Sequence, residues 1–238
     1  LHWKVTIPWD GRRAGAGGFW ISAIIVSCTS YRTTFRRCWN RISVDSFAVP
    51  VQGRNALVCG EDGPVLQLVP GDDGQVGLVI ADVSDKGMGA ALFMALSRTL
   101  IRTYAAEYPT QPEVVLDATS RRMLEDTRAG LFVTVFYGIL DPTSGTLTYC
   151  NAGHNPPCLL SPRNKAPVRE LPKTGMALGV VEDTAWGRRS IQIEPGQALV
   201  LYTDGITEAQ DQHETLFGRQ RLLEFLGTMD VPSESRCP

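Results

Sequence analysis

The sequence predicts an α+β layered domain, and three observations carry that expectation. Two long helical stretches follow one another directly, the strands after them succeed each other through short turns, and no strand-helix-strand repeat recurs. The chain has 238 residues, 43% hydrophobic and 20% charged. That length can bury a full-sized core, and that composition excludes disordered and fibrous classes.

Readable patterning begins abruptly near residue 76. Val76 to Asp82 is a continuous apolar run closed by a carboxylate, which suits a strand buried on both faces with its acidic end at a sheet edge. The turn signal Gly71-Asp72-Asp73-Gly74 before it places a hairpin partner upstream. Gly87-Met88-Gly89 opens an Ala-, Leu- and Met-rich stretch from Ala90 to Ala106, expected as a helix packed on most of its surface. Pro112 stands at a first helical position, and Leu116, Met123 and Leu124 repeat at helical spacing, so a second helix is expected to about Thr127.

Strands follow at Leu131 to Leu140 and Thr146 to Cys150, joined through Asp141-Pro142-Thr143-Ser144-Gly145, whose Pro and Gly suit a tight hairpin. Pro156 to Leu160 and Val168 to Leu171 read as short strands. Ser190 to Ile193 and Ala198 to Tyr202 read as a further pair around Glu194-Pro195-Gly196. Phe217 to Leu226 reads as a closing helix.

The first quarter is different. Residues 1–55 hold eight Lys and Arg against two Asp and Glu, and four of the five tryptophans, Trp3, Trp9, Trp20 and Trp39. Neither alternation nor helical periodicity marks a core-forming element there. It reads as a basic arm for an acidic partner or, the expectation adopted here, as an atypical segment, poorly ordered or misread from a shifted frame, ahead of a domain over 56–230 and a tail over 231–238. Its apolar run Phe19 to Cys28 is about half the roughly 20 residues a membrane-spanning helix needs, so no membrane span is expected. A net charge of −2 gives no reason to invoke nucleic acid.

Six cysteines, Cys28, Cys38, Cys59, Cys150, Cys158 and Cys237, show neither zinc-type spacing nor the density of a disulfide scaffold. A reduced, cytoplasmic setting is expected, with Cys150 and Cys158 as core residues.

Two segments share one logic, Ile80-Ala81-Asp82-Val83-Ser84-Asp85-Lys86-Gly87 and Leu201-Tyr202-Thr203-Asp204-Gly205-Ile206-Thr207-Glu208. Each ends an apolar strand in an aspartate before a turn. Two such strands side by side would aim both carboxylates at one point, and like charges so close call for a cation between them. Carboxylates, carbonyls and waters favour Mg²⁺ or Mn²⁺ over zinc. A strand-terminal Asp taken alone is as readily a turn or helix cap.

These residues, with Ala90-Ala91-Leu92-Phe93-Met94, Phe132-Val133-Thr134-Val135-Phe136-Tyr137-Gly138 and Asn151-Ala152-Gly153-His154-Asn155-Pro156-Pro157, closely resemble the stage II sporulation protein E and sigma-factor regulator (RsbU-like) branch of PPM phosphatases. The resemblance implies a four-layer α-β-β-α sandwich in which two Mn²⁺ or Mg²⁺ ions bridge a water that attacks a phosphoserine or phosphothreonine, with no side-chain nucleophile. It implies Asp82, the backbone carbonyl of Val83 and Asp204 as metal ligands. Gly87, Asn151, Gly153, His154 and Gly205 belong to its motifs without an assigned role. His154 reads as a proton carrier near a leaving group or as part of a turn between strands, with the turn preferred. The implied partners are a phosphoprotein such as an anti-sigma-factor antagonist and an upstream sensory domain or regulator. The paired helices are the implied switch and a route to a homodimer.

The sequence departs from the family pattern at two places. Where the family carries its first metal-binding Asp this chain has Pro64, which offers no ligand, and Asp62 is a displaced candidate. No Asp-Asp-hydrophobic-Thr strand follows Met229 either, so a C-terminal strand is expected to be missing. A catalytically impaired protein-binding module is therefore the competing reading.

Overall fold

The computed structural model describes residues 2–9, 19–26, 46–48, 57–58 and 65–70 by their backbone. It describes residues 75–85, 87–126, 130–141, 143–161, 167–182, 184–194, 197–208 and 214–228 in full. Twelve strands result: β1 (His2–Trp9), β2 (Phe19–Val26), β3 (Ser46–Ala48), β4 (Leu57–Val58), β5 (Val65–Pro70), β6 (Val76–Val83), β7 (Val133–Asp141), β8 (Thr146–Ala152), β9 (Cys158–Leu160), β10 (Arg169–Glu170), β11 (Arg189–Gln192) and β12 (Ala198–Tyr202). The helices are α1 (Met88–Glu107), α2 (Pro112–Asp126), the single turn α3 (Asp204–Thr207) and α4 (Arg219–Thr228). The expected mixed α+β class is thus observed, with α2 starting at Pro112.

The chain forms two compact units. One holds β4 to β8, β11, α1 and α2; the other holds β1 to β3, β9, β10, β12, α3 and α4. The first unit is built on a sheet of order β11-β8-β7-β6-β5-β4. Its centre is the antiparallel β6–β7 ladder, in register from Val76↔Leu140 to Val83↔Val133. β5 pairs with β6 as the hairpin partner foreseen upstream. The β7–β8 hairpin closes at Asp141↔Thr146, where the Gly145 amide donates to the Asp141 carbonyl at 2.8 Å and Gly145 takes φ 74°.

The two faces of this sheet follow from strand alternation. Val79 and Ala81, Val133, Val135, Tyr137 and Ile139, and Cys150 and Ala152 share a core with Phe93 and Ile101 of α1 and Val115, Leu116 and Met123 of α2. On the opposite face Leu78, Ile80, Phe136, Leu147 and Tyr149 are also buried. There the Phe136 and Tyr149 rings stack with centroids 5.3 Å apart. Strand β6 is buried on both faces, as its uninterrupted apolar run predicts.

α1 corrects one expectation. It is packed along one stripe only, Ala90, Phe93, Ser97, Ile101 and Ala105, while Met88 and Leu92 are 82% and 67% exposed. Ala, Leu and Met are strong helix formers as well as apolar, so a surface helix rich in them reads as more buried than it is. Buried Ser97 satisfies its hydroxyl by donating to the Phe93 carbonyl one turn back.

In the second unit the sheet order is β10-β9-β12-β2-β1-β3. Cys158, Leu160, Ala198, Val200 and Tyr202 meet Phe217, Leu222 and Leu226 at and within α4, and the Arg219 guanidinium pairs with the Glu170 carboxylate. Two further corrections arise here. Strands occupy part of the first quarter, where no period was legible. β2, apolar at every position but Ser22, lies between β1 and β12 in its sheet, and such a run suits a strand with neighbours on both sides as well as it suits a helix. β11 and β12 are also not a hairpin: β11 pairs with β8, and β12 pairs with β9 and β2. Their burial explains the separation, since β12 is buried at every position while β11 buries only Ile191. The latter is an edge-strand pattern.

No helix among the described residues is long and apolar enough to cross a membrane. Cys150 and Cys158 are buried free thiols, as expected. Burial pushes each up to about 12, reinforced by Glu113 near Cys150 and by Glu170 near Cys158.

Two tests follow. Leu116→Ala should cost about 2–5 kcal/mol by leaving a cavity, whereas Leu92→Ala should stay within about 0.5 kcal/mol; urea midpoints compare them. Neither Cys150 nor Cys158 should be alkylated by iodoacetamide at pH 8 in the folded chain, as peptide mass spectrometry will read, and both should react once it unfolds. Because the folded values lie above the ordinary 9.0, the stability these thiols carry is complete below that value and is lost as pH rises toward 12.

Candidate functional site

The polar residues singled out in the sequence fall at the ends of strands in both units. Asp82 is the penultimate residue of β6 and is half-buried. The β6 end that carries it is tied to its neighbour strand: Val83 pairs with Val133, the Ser84 amide donates to the Phe132 carbonyl at 3.0 Å, and the Phe132 amide donates to Ser84 Oγ at 3.1 Å. The chain then reaches Gly87, whose φ of 88° and ψ of −168° suit glycine alone. The Gly87 carbonyl accepts the Ala91 amide at 3.0 Å and starts α1.

The Asn151 to His154 segment ends β8 at the same side of the sheet. Gly153, at φ 75°, bridges Val135 in parallel fashion. A Cβ placed there would stand 3.0 Å from the Ala177 backbone nitrogen. The main chain of Asn151 holds the segment after Pro172: its carbonyl accepts the Thr174 and Gly175 amides, and its amide donates to Thr174 Oγ1 at 2.9 Å. Val133 and Leu178 exchange two backbone hydrogen bonds at 3.1 and 2.9 Å. His154 is 2% exposed, with Nδ1 2.9 Å from Thr134 Oγ1. Thr134 Oγ1 in turn donates to the Asp82 carbonyl at 3.3 Å. Asp82, Thr134 and His154 are therefore joined through side chain and main chain.

Asp204 and Gly205 lie in the other unit. Asp204 lies one residue beyond β12, after Thr203, is exposed, and begins α3; its carbonyl accepts the Glu208 amide at 2.7 Å and the Thr207 hydroxyl at 3.1 Å. The picture of two acidic strand ends as neighbours in one sheet needs correction. β6 is hydrogen-bonded to β5 and β7, and β12 to β9 and β2.

Among the described residues no three His, Cys, Asp or Glu side chains gather as they would around a metal ion. A hard divalent cation takes about six oxygens or more. For Mg²⁺ several of these are usually waters, with one or two carboxylates from the protein, so the carboxylate of Asp82 is of fitting donor chemistry. Asp62, Pro64, the turn at 71–74, His213 and the stretch after Thr228 lie outside the described residues.

A family model, Stage II sporulation protein E (SpoIIE), matches residues 72–236. The chain belongs to this family. It is 34% identical over 182 residues to Protein IcfG of Synechocystis, covering 66% of this chain and 28% of that protein. It is 29% identical over 142 residues to Phosphoserine phosphatase RsbU of Bacillus subtilis, covering 60% of this chain and 42% of that one. The chain thus matches 28% and 42% of the lengths of these two relatives, less than half of each. Its fold is that of PP2C phosphatase domains: the SiaA-PP2C domain of Pseudomonas aeruginosa superposes with a TM-score of 0.60 at 20% identity, covering 70% of this chain and 65% of that one.

Within this SpoIIE-family frame the residue that sequence reasoning passed over is Thr134. The signal was present, as the one polar residue in Val133-Thr134-Val135-Phe136, but its meaning comes only from the register that sets it opposite Asp82. Gly153→Ala should cost about 1–3 kcal/mol, combining positive φ with the Ala177 clash. Gly89→Ala, in α1 with open space around it, should stabilise by about 0.5–1 kcal/mol. Urea denaturation at unchanged m value compares the two.

Proposed function

We propose that this chain carries the phosphatase domain, over about residues 56–230, of a signalling protein that hydrolyses phosphoserine or phosphothreonine on a regulatory protein, with Mn²⁺ or Mg²⁺ as cofactor. The observation that carries the reading is the seating of Asp82. A half-buried carboxylate stands at the end of a strand buried on both faces, on backbone held by its neighbour strand and by the Asn151–His154 segment. Such rigidity suits a ligand that must keep its geometry without solvent reorganisation. Asp204, at the head of a helical turn, is proposed as a second carboxylate, and the Val83 carbonyl as a neighbouring donor. Membership of the SpoIIE family and the similarity to a protein named a phosphoserine phosphatase support the reaction class. A phosphoprotein such as an anti-sigma-factor antagonist is the proposed substrate, and α1 with α2 the proposed surface for an upstream regulator or a second copy.

Pro64 favours a second reading, in which the lineage has kept the fold and lost turnover, leaving a module that binds a phosphoprotein. The two separate in one experiment: calorimetric Mn²⁺ titration of the full chain, with phosphate release from a phosphoserine peptide as the activity readout. On the first reading phosphate release requires Mn²⁺, stops with chelator, and falls about 100-fold or more in Asp82→Asn and Asp204→Asn. On the second, saturating Mn²⁺ gives no turnover, and Pro64→Asp raises it by restoring a ligand where the family carries one.

A further inference from the structure

Of the large apolar side chains exposed among the described residues, five stand on three segments that meet where β6 ends: Met88 and Leu92 at the start of α1, Phe132 before β7, and Val180 and Val181 beyond Leu178. Ala81 and Val83 pack toward the helices, and so do Leu131 and Val133. Asp82 and Phe132, each between such a pair, therefore point to the other side of the sheet. Asp82 pairs with Thr134, so Phe132 is its diagonal neighbour, about 7–8 Å away in an antiparallel ladder. The other segments close on the same end. The Ser84 amide donates to the Phe132 carbonyl, and the chain enters α1 through Gly87. A Cβ on Gly179 would stand 3.3 Å from the Leu131 carbonyl oxygen and 3.7 Å from Phe93 Cζ of α1.

Met88 to Ser97, Leu131 to Leu140 and Gly175 to Val181 carry no charged residue, so what these segments offer a partner is apolar contact and not an ion pair. The five residues are between 39% and 82% exposed. Together they leave open on the order of 500 Å², the size of a functional patch on a monomer and less than the roughly 800 Å² per partner of a stable complex. Such an area suits a partner that binds, reacts at the neighbouring carboxylate and leaves, and not a permanent second copy. We propose that this apolar rim is the docking surface for the phosphoprotein substrate, and that it selects substrates whose phosphoserine is flanked by apolar side chains, one of them resting on Phe132. The inference deepens the phosphatase reading and rests on it for placing the phosphate at Asp82. Of α1, only the first two turns take part.

The test uses the full chain with Mn²⁺ and two fluorescein-labelled phosphoserine peptides, one with leucine and one with serine on both sides of the phosphoserine. Fluorescence anisotropy should give an affinity about tenfold higher for the leucine peptide. That ratio should hold from low to high salt, because apolar contact is not screened as charge attraction is. Leu92→Asp, Val180→Asp and Phe132→Ser should each reduce the preference, while Leu216→Asp, at an exposed leucine of the other unit, should leave it unchanged. Equal affinities for the two peptides, or a preference that survives the rim substitutions, overturns the proposal. So does a dimer in sedimentation that Leu92→Asp dissolves while the peptide preference stays intact. Should Phe132→Ser fail to fold, Leu92→Asp and Val180→Asp, both at exposed side chains, decide the matter. A leucine preference in a chain that releases no phosphate would sink the phosphatase reading and uphold the docking surface. Phosphate release at equal kcat/KM from both peptides would do the reverse.

Discussion

The register of β6 against β7 is the constraint from which the remainder of the helix-bearing unit follows. Eight pairs, Val76↔Leu140 through Val83↔Val133, set which side chains face α1 and α2 and which face the other way. A shift of one residue would exchange Val79 and Ala81 for Leu78 and Ile80 on the helix side, and the helices could no longer seat Phe93, Leu116 and Met123 against small and branched partners. The same register sets Asp82 opposite Thr134. The packing that holds the fold therefore also determines what stands beside the carboxylate.

That ladder is secured at the end where polarity is concentrated. β7 begins with Val133 exchanging hydrogen bonds with Leu178, and Asn151, next to last in β8, accepts from Thr174 and Gly175. One irregular segment thus covers the starts and ends of two central strands, and Trp186 closes over it by donating to the Met176 carbonyl at 2.7 Å. Gly175 lies under that indole, and a Cβ there would come within 2.4 Å of Trp186 Cδ1. Irregular backbone at a sheet end stays ordered when its amides and carbonyls find partners, and here strand ends supply many of them.

Much of this was legible in the sequence, and the parts that were not share a cause. Runs with a period were read correctly as elements: the apolar Val76–Val83 strand, the Pro112 start of α2, and the turn from Asp141 to Gly145. The family resemblance came from the same segments and is upheld by the match over 72–236. What failed was pairing. Glu194-Pro195-Gly196 has the composition of a hairpin turn, yet it joins strands that belong to different sheets, because local turn chemistry says that the chain reverses and not which strand it meets. The surface of α1 was misjudged for a related reason, since Leu92 and Phe93 are equally apolar on paper and only the helix phase decides which is buried. Thr134 is the clearest instance. A lone threonine in a strand is ordinary until register brings it to His154 on one side and Asp82 on the other.

The substitution at Pro64 can be weighed by the same physics. Carboxylates gathered for a cation repel one another while the cation is absent, so a metal-binding cluster lowers the stability of the metal-free fold and recovers it on binding. In any such cluster, loss of one carboxylate lessens that repulsion and so favours the empty protein, at the expense of affinity for the ion. A chain can keep the motifs around Asp82, Asn151 to His154 and Asp204 while carrying Pro64 at another position of the pattern. Selection for folding alone would not favour a carboxylate at such a position, because in the metal-free protein its charge only adds repulsion.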